Sequence, residues 1–128
     1  MTDATTYPVI ASMKANGTWN ANWDVIEALD AEWMERFVAM GATIYQRPVL
    51  DPKVREFIAI AVDASCTHMY APGVRRHIAA ALDLGATQAE IMAVLEAVAV
   101  LGIHSVALAA PVLVDELQKR GMAVPTAP

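Results

Sequence analysis

Six residues able to do chemistry fall within a single stretch, residues 54–85: Glu56, Asp63, Cys66, His68, Tyr70 and His77. His77 shares a helical face with Val74, Ala81 and Leu84. A histidine changes protonation near neutral pH, so it can act as general acid or base where a cleft admits substrate; otherwise it is a hydrogen-bonded core residue. Glu56 stands beside Phe57 and Ile60, where a carboxylate can orient a histidine by accepting its ring proton. Its alternative is a surface ion pair with Lys53 or Arg55. Cys66 is either a reactive thiol or a small packed residue, and the end of the helix expected there disfavours a thiolate unless His68 or His77 assists.

Outside this stretch, Glu96 is flanked at helical spacing by Met92, Ala93, Ala99, Val100 and Ile103. A carboxylate in such surroundings must find a partner, stay protonated or face a cavity. His104 and Ser105 lie in the same apolar run, so a lumen lined by Glu96, His77 and His104 is one expectation and an inter-helix or inter-subunit hydrogen bond the other. No two of the histidines are four apart, and no compact ligand signature appears, so no metal site is expected. Catalytic Ser/His/Asp spacing, a phosphate-binding glycine loop and a dinucleotide fingerprint are absent.

These residues must be carried by helices, because every periodic segment has a helical step and no strictly alternating run occurs. The fold class expected is all-α, a single-domain bundle of about five or six helices. Residues 1–21 lack sustained periodicity and read as an N-terminal arm, with one helical turn near Val9 to Lys14 and Trp19 pinning it. Residues 22–120 read as the helical domain and 121–128 as a flexible tail. Within the domain, Trp23, Ile26, Trp33, Phe37, Met40 and Ile44 form a stripe that predicts an amphipathic core helix over 22–45, with Asn22 as N-cap. Arg47-Pro48 ends it. Asp51-Pro52 then opens a central helix over 52–67, residues 70–73 connect, and the next helix runs over 74–84 to a left-handed Gly85. Thr87-x-x-Glu90 is a capping box opening a long apolar helix that breaks near Gly102 and continues to Leu117, with Pro111 as a kink or second start.

Composition narrows the function. The chain has 128 residues, 56% of them hydrophobic, and a formal charge of −5, which argues against a nucleic-acid footprint. One cysteine excludes an internal disulfide, and the N-terminus carries neither a basic start nor a long apolar segment, so a cytoplasmic address is expected. Residues 97–114 approach membrane-span length, but Gly102, His104, Ser105 and Pro111 interrupt them. The expectation is therefore no membrane span but a helix buried on most sides. A chain this short can hardly bury it alone, which implies a homo-oligomer.

Arg55-Glu56 with Ala61-Val62, His77-Ile78 with Gly85 eight residues after the histidine, and Ala86-Thr87-x-x-Glu90-Ile91 together resemble the carboxymuconolactone decarboxylase family, which includes alkylhydroperoxidase D. The resemblance spans roughly residues 50–118. It implies an all-helical fold assembled as trimers or hexamers. In the peroxidase branch, a glutamate, two cysteines two residues apart and a histidine form a proton relay; Glu56, Cys66 and His77 match, but Met69 stands where the second cysteine would be and residues 70–73 are lengthened. The decarboxylase branch needs no such pair, and the chain looks closer to it. What this implies is a lyase without cofactor, acting on a small carboxylated, aromatic-derived lactone or keto acid. His77 is then the acid/base and Glu56 its orienting partner, with Cys66 a further candidate catalytic residue. His68, Glu96, His104 and Arg75 are candidate substrate-binding groups, and Arg47 or Arg76 alternative carboxylate clamps. A single-cysteine thiol peroxidase or sensor using Cys66, and a non-catalytic helical oligomer that binds a ligand or partner, remain the alternatives.

Overall fold

The structure is a computed structural model that describes residues 5–124, and among these every regular element is helical. The chain divides into two compact units, Met1–Leu50 and Asp51–Pro128.

In the first unit, α1 (Pro8–Ala15) starts with proline at its first position, where no backbone N–H is missed. A short 3-10 turn (Ala21–Trp23) leads into α2 (Asp24–Leu29) and α3 (Ala31–Gln46). The helix expected over 22–45 is thus divided at Asp30, which leaves helical geometry and accepts a hydrogen bond from Trp33 N at 2.9 Å. An aspartate that caps the following turn competes with continuing the helix it ends. The segment read as a loose arm contributes α1 to a core of Ile10, Met34 and Val38. Glu35 of α3 holds it there, accepting from Val9 N at 2.8 Å and Ile10 N at 3.0 Å. Trp19 packs on this cluster and donates through Nε1 to Asp24. The aromatic stripe is not the buried face. Met34 and Val38 are buried instead, whereas Trp33 and Phe37 stack on each other with their rings 5.4 Å apart and remain 53% and 41% exposed. Hydrophobic spacing marked a face on α3, but α1 covers the adjoining one. Residues 1–4 of the arm and 125–128 of the tail lie outside the described residues.

The second unit is built on α4 (Pro52–Ala64), which packs against both α5 (Ala71–Asp83) and α6 (Gln88–Leu101). Asp51 caps α4 by accepting from Lys53 N at 2.8 Å. The core is Ile60, Ala81, Ala86 and Ile91, with Phe57, Ile78, Val94 and Leu95 packed around it. Gly85, at φ +87°, ends α5 in a left-handed turn: its N–H bonds to Leu82 O and that of Ala86 to Ala81 O, the paired bonds of a Schellman motif. Thr87 and Glu90 then form the expected capping box, and Lys53 Nζ bonds to Glu90 Oε1 at 3.0 Å, tying the start of α6 to α4.

α4 stops at Ala64, so Cys66 lies in the connection at residues 65–70 and not on the helix. α5 begins at Ala71, three residues earlier than expected, because Pro72 in its first turn needs no donor. After α6, Gly102 and Ile103 interrupt the helix, and α7 (His104–Lys119) runs through Pro111. α7 buries none of its residues, contrary to the expectation of a helix covered on most sides within the chain. Gln88–Lys119 is one helical stretch long and apolar enough to cross a membrane among the described residues, and none of its apolar window is buried.

Candidate active site

α4 and α5 pair side by side in the second unit, which brings Glu56 and His77 together. His77 Nδ1 and Glu56 Oε2 are 2.6 Å apart, a short charge-assisted hydrogen bond with the ring N–H donating to the carboxylate. Both side chains are nearly closed to water, at 15% and 10% exposure. Glu56 is therefore not the surface partner of Lys53, which bonds to Glu90 instead. Glu56 falls one turn before Ile60 on the buried face of α4, so the packing that fixes the core also fixes the carboxylate.

The other ring nitrogen faces a residue to which sequence reasoning gave no role. Asp63 Oδ2 is 3.8 Å from His77 Nε2, and Asp63 Oδ1 is 3.3 Å from His68 Nε2. Asp63 follows Glu56 by seven residues, two helical turns along α4, and this spacing was the available signal. The space for its carboxylate is made by Gly73, buried in the first turn of α5: a Cβ there would lie 1.9 Å from Asp63 Oδ2. Four polar side chains thus run in sequence from the interior outward, Glu56, His77, Asp63 and His68, the last 51% exposed.

A cleft of about 640 Å3 lies against this row. It is lined by the C-terminal end of α4, the connection and one face of α5, including Asp63, Tyr70, Val74, Arg75, Ile78 and Leu82. The walls are mainly apolar, with Asp63 and Arg75 contributing charge, and Arg75 makes no ion pair among the described residues. Arg75 is exposed at this wall, where its guanidinium is free to meet a carboxylate. Asp63 lines the cleft, but Glu56 and His77 stand behind it.

The remaining candidates lie apart from this row. Cys66 is exposed and its thiol makes no hydrogen bond to Glu56 or His77; it approaches Gly102 at the end of α6. Glu96 and His104 are both exposed, with no side-chain hydrogen bond among the described residues, and the lumen expected between Glu96, His77 and His104 does not form among these residues. A helix whose neighbouring apolar residues stay uncovered leaves its carboxylate in water. No group of three or more His, Cys, Asp or Glu suited to a metal ion occurs among the described residues.

The sequence matches the Carboxymuconolactone decarboxylase family over residues 31–114. No curated protein matches it. It is similar in structure to a candidate gamma-carboxymuconolactone decarboxylase subunit from Burkholderia xenovorans, at 35% identity and a TM-score of 0.68. That similarity covers 99% of this chain and 51% of the other, so this chain spans about half the length of that protein. With two thirds of its residues inside the family match, and the helical pairing of α4 and α5 in place, the chain belongs to the carboxymuconolactone decarboxylase family.

Proposed function

We propose that the chain is a decarboxylase-type lyase that needs no cofactor and acts on a small carboxylated lactone or keto acid, with Glu56 and His77 as its acid/base pair. The observation that carries this reading is the 2.6 Å hydrogen bond between His77 and Glu56 set directly behind a mainly apolar cleft. Loss of carbon dioxide from such a compound leaves an electron pair on carbon. It requires a polarised carbonyl to receive the charge, a dry environment around the departing carboxylate and a proton for the new carbanion. Arg75 at the cleft wall attracts the substrate's anionic groups. A substrate seated against Val74, Ile78 and Leu82 displaces water from that side of the bond that breaks. Glu56 fixes the His77 ring through Nδ1, leaving Nε2 as the nitrogen that exchanges a proton with the site.

The same reading includes a homo-oligomer of cytoplasmic address. Leu101, Val106, Leu108, Val112 and Leu113 are all exposed on α6 and α7, more apolar surface than a solitary chain keeps in water. A second copy is the partner proposed for that face.

The test is carbon dioxide release from gamma-carboxymuconolactone and a panel of related carboxylated lactones and keto acids. Wild type is expected to turn over at least one of them, and His77→Ala to lose about 100-fold or more, the scale of a positioned acid/base group. Equal inactivity of wild type and variant on every compound refutes the reading.

A further inference from the structure

Neither Glu56 nor His77 lines the cleft, and the pair needs a means of reaching whatever binds there. Asp63 is the residue that lines the cleft and also stands beside the free nitrogen of His77. We propose that Asp63 is the cleft-side proton carrier of this site, exchanging protons with the substrate on one side and with His77 on the other, while His68 connects it to solvent. This inference rests on the lyase reading for its substrate, but the relay itself is a property of four side chains and is measurable without one.

Three features support it. The two oxygens of Asp63 are divided between two rings, Oδ2 toward His77 Nε2 at 3.8 Å and Oδ1 toward His68 Nε2 at 3.3 Å. The first distance exceeds a hydrogen bond by less than an ångström, roughly the travel of a modest side-chain rotation. Glu56, His77 and Asp63 are all nearly closed to water, at 10%, 15% and 13% exposure, whereas His68 is 51% exposed, so His68 is the member of the row that meets solvent. Finally, the backbone makes room for the carboxylate at Gly73, where any larger residue would collide with Oδ2.

The proton account balances over one turnover. The bond between the substrate carbon and its carboxylate breaks, carbon dioxide leaves, and the electron pair is held as an enolate. The O–H of protonated Asp63 then breaks as a C–H bond forms on the substrate, leaving an Asp63 carboxylate. A proton from water then returns to Asp63 through His68; where His77 lends its proton to Asp63 first, the proton entering through His68 passes on through Asp63 and restores His77. The net consumption is one proton per carbon dioxide released. Asp63 is the group that touches substrate in this sequence, and His77, held by Glu56, is the acid/base group behind it that supplies its proton.

Exchange of the His77 ring protons with water, followed by 15N-edited NMR on the full chain, separates a relay from a structural role. Asp63→Asn keeps the shape of the side chain but cannot carry a proton, and Gly73→Ala displaces the carboxylate without removing any titratable group. Both are expected to slow exchange by about tenfold, a small part of what a positioned acid/base group contributes. A purely structural Asp63 predicts the opposite sign, because a loosened site exchanges faster. Unchanged or faster exchange in Asp63→Asn overturns the relay. On any compound that wild type decarboxylates, Asp63→Asn should lose about 100-fold in kcat with KM little changed, and retention of kcat overturns the proposal. If wild type decarboxylates nothing, the lyase reading fails and the exchange rates alone decide whether Asp63 relays protons.

Discussion

Removing the Glu56 carboxylate probes the bond on which the site depends. Glu56→Ala leaves His77 Nδ1 with no acceptor at a position only 15% exposed. A hydrogen bond to a charged group contributes about 1.5–3 kcal/mol, and stripping one member from a buried pair costs about 3–5 kcal/mol because the other remains buried alone. His77 Nε2 still has Asp63 at 3.8 Å. This partial compensation sets the expected loss near the lower bound, about 3 kcal/mol. For a chain of this size each kcal/mol moves the melting midpoint by roughly 3–5 °C, so Glu56→Ala should melt about 10 °C below wild type. The single loss includes the packing of the glutamate stem, so the interaction itself is read from a double-mutant cycle with His77→Ala, where a coupling of about 2 kcal/mol is expected. Far-UV circular dichroism is the probe, since Trp19, Trp23 and Trp33 all lie in the first unit and their fluorescence does not report on α4 and α5. A coupling below about 0.5 kcal/mol is what two independent sites give, and it would refute the claim that the pair is joined.

Acidification should be felt at the start of α6. The backbone N–H of Thr87, and next the Lys53 ammonium, hold the Glu90 carboxyl below its ordinary value of 4.5. A carboxyl lowered in the folded chain stabilises it above the unfolded value, and that contribution disappears as pH falls through the lowered one. The melting difference between wild type and Glu90→Gln should therefore be steady above about pH 5 and close on further acidification; a gap that widens contradicts the sign. For the face of α6 and α7, sedimentation of wild type should show an oligomer and Leu108→Glu a smaller species, since Leu108 is 78% exposed in the single chain. A monomeric wild type refutes the proposed self-association.

Local signals in the sequence were legible where the chain itself supplies both halves of an interaction. Asp51 with Pro52, Gly85, and Thr87 with Glu90 mark helix ends within four residues of each other, and all three behave as their chemistry dictates. Pro8 carries the same kind of signal for α1, since proline at a first helical position begins a helix, but the lack of periodicity over residues 1–21 masks it. The apolar stripes were harder to place. Spacing reveals which residues share a face, but not whether another element arrives to cover it, so Trp33 and Phe37 stand exposed while Met34 and Val38 are buried beneath α1.

The candidate site divides in the same way. By itself, the sequence determined an all-helical chain and the hairpin of α4 and α5, and marked Glu56, His77 and Cys66 on it as candidates, because spacing along a helix and resemblance over a family's motif are both linear properties. Only the tertiary structure decided that Glu56 and His77 are 2.6 Å apart, that Asp63 and His68 extend the row, and that Glu96 and His104 stand away from it. Residues separated by twenty-one positions meet through the register of two packed helices. That register is set by core side chains such as Ile60 and Ala81 and by the room left at Gly73, not by the polar residues it brings together.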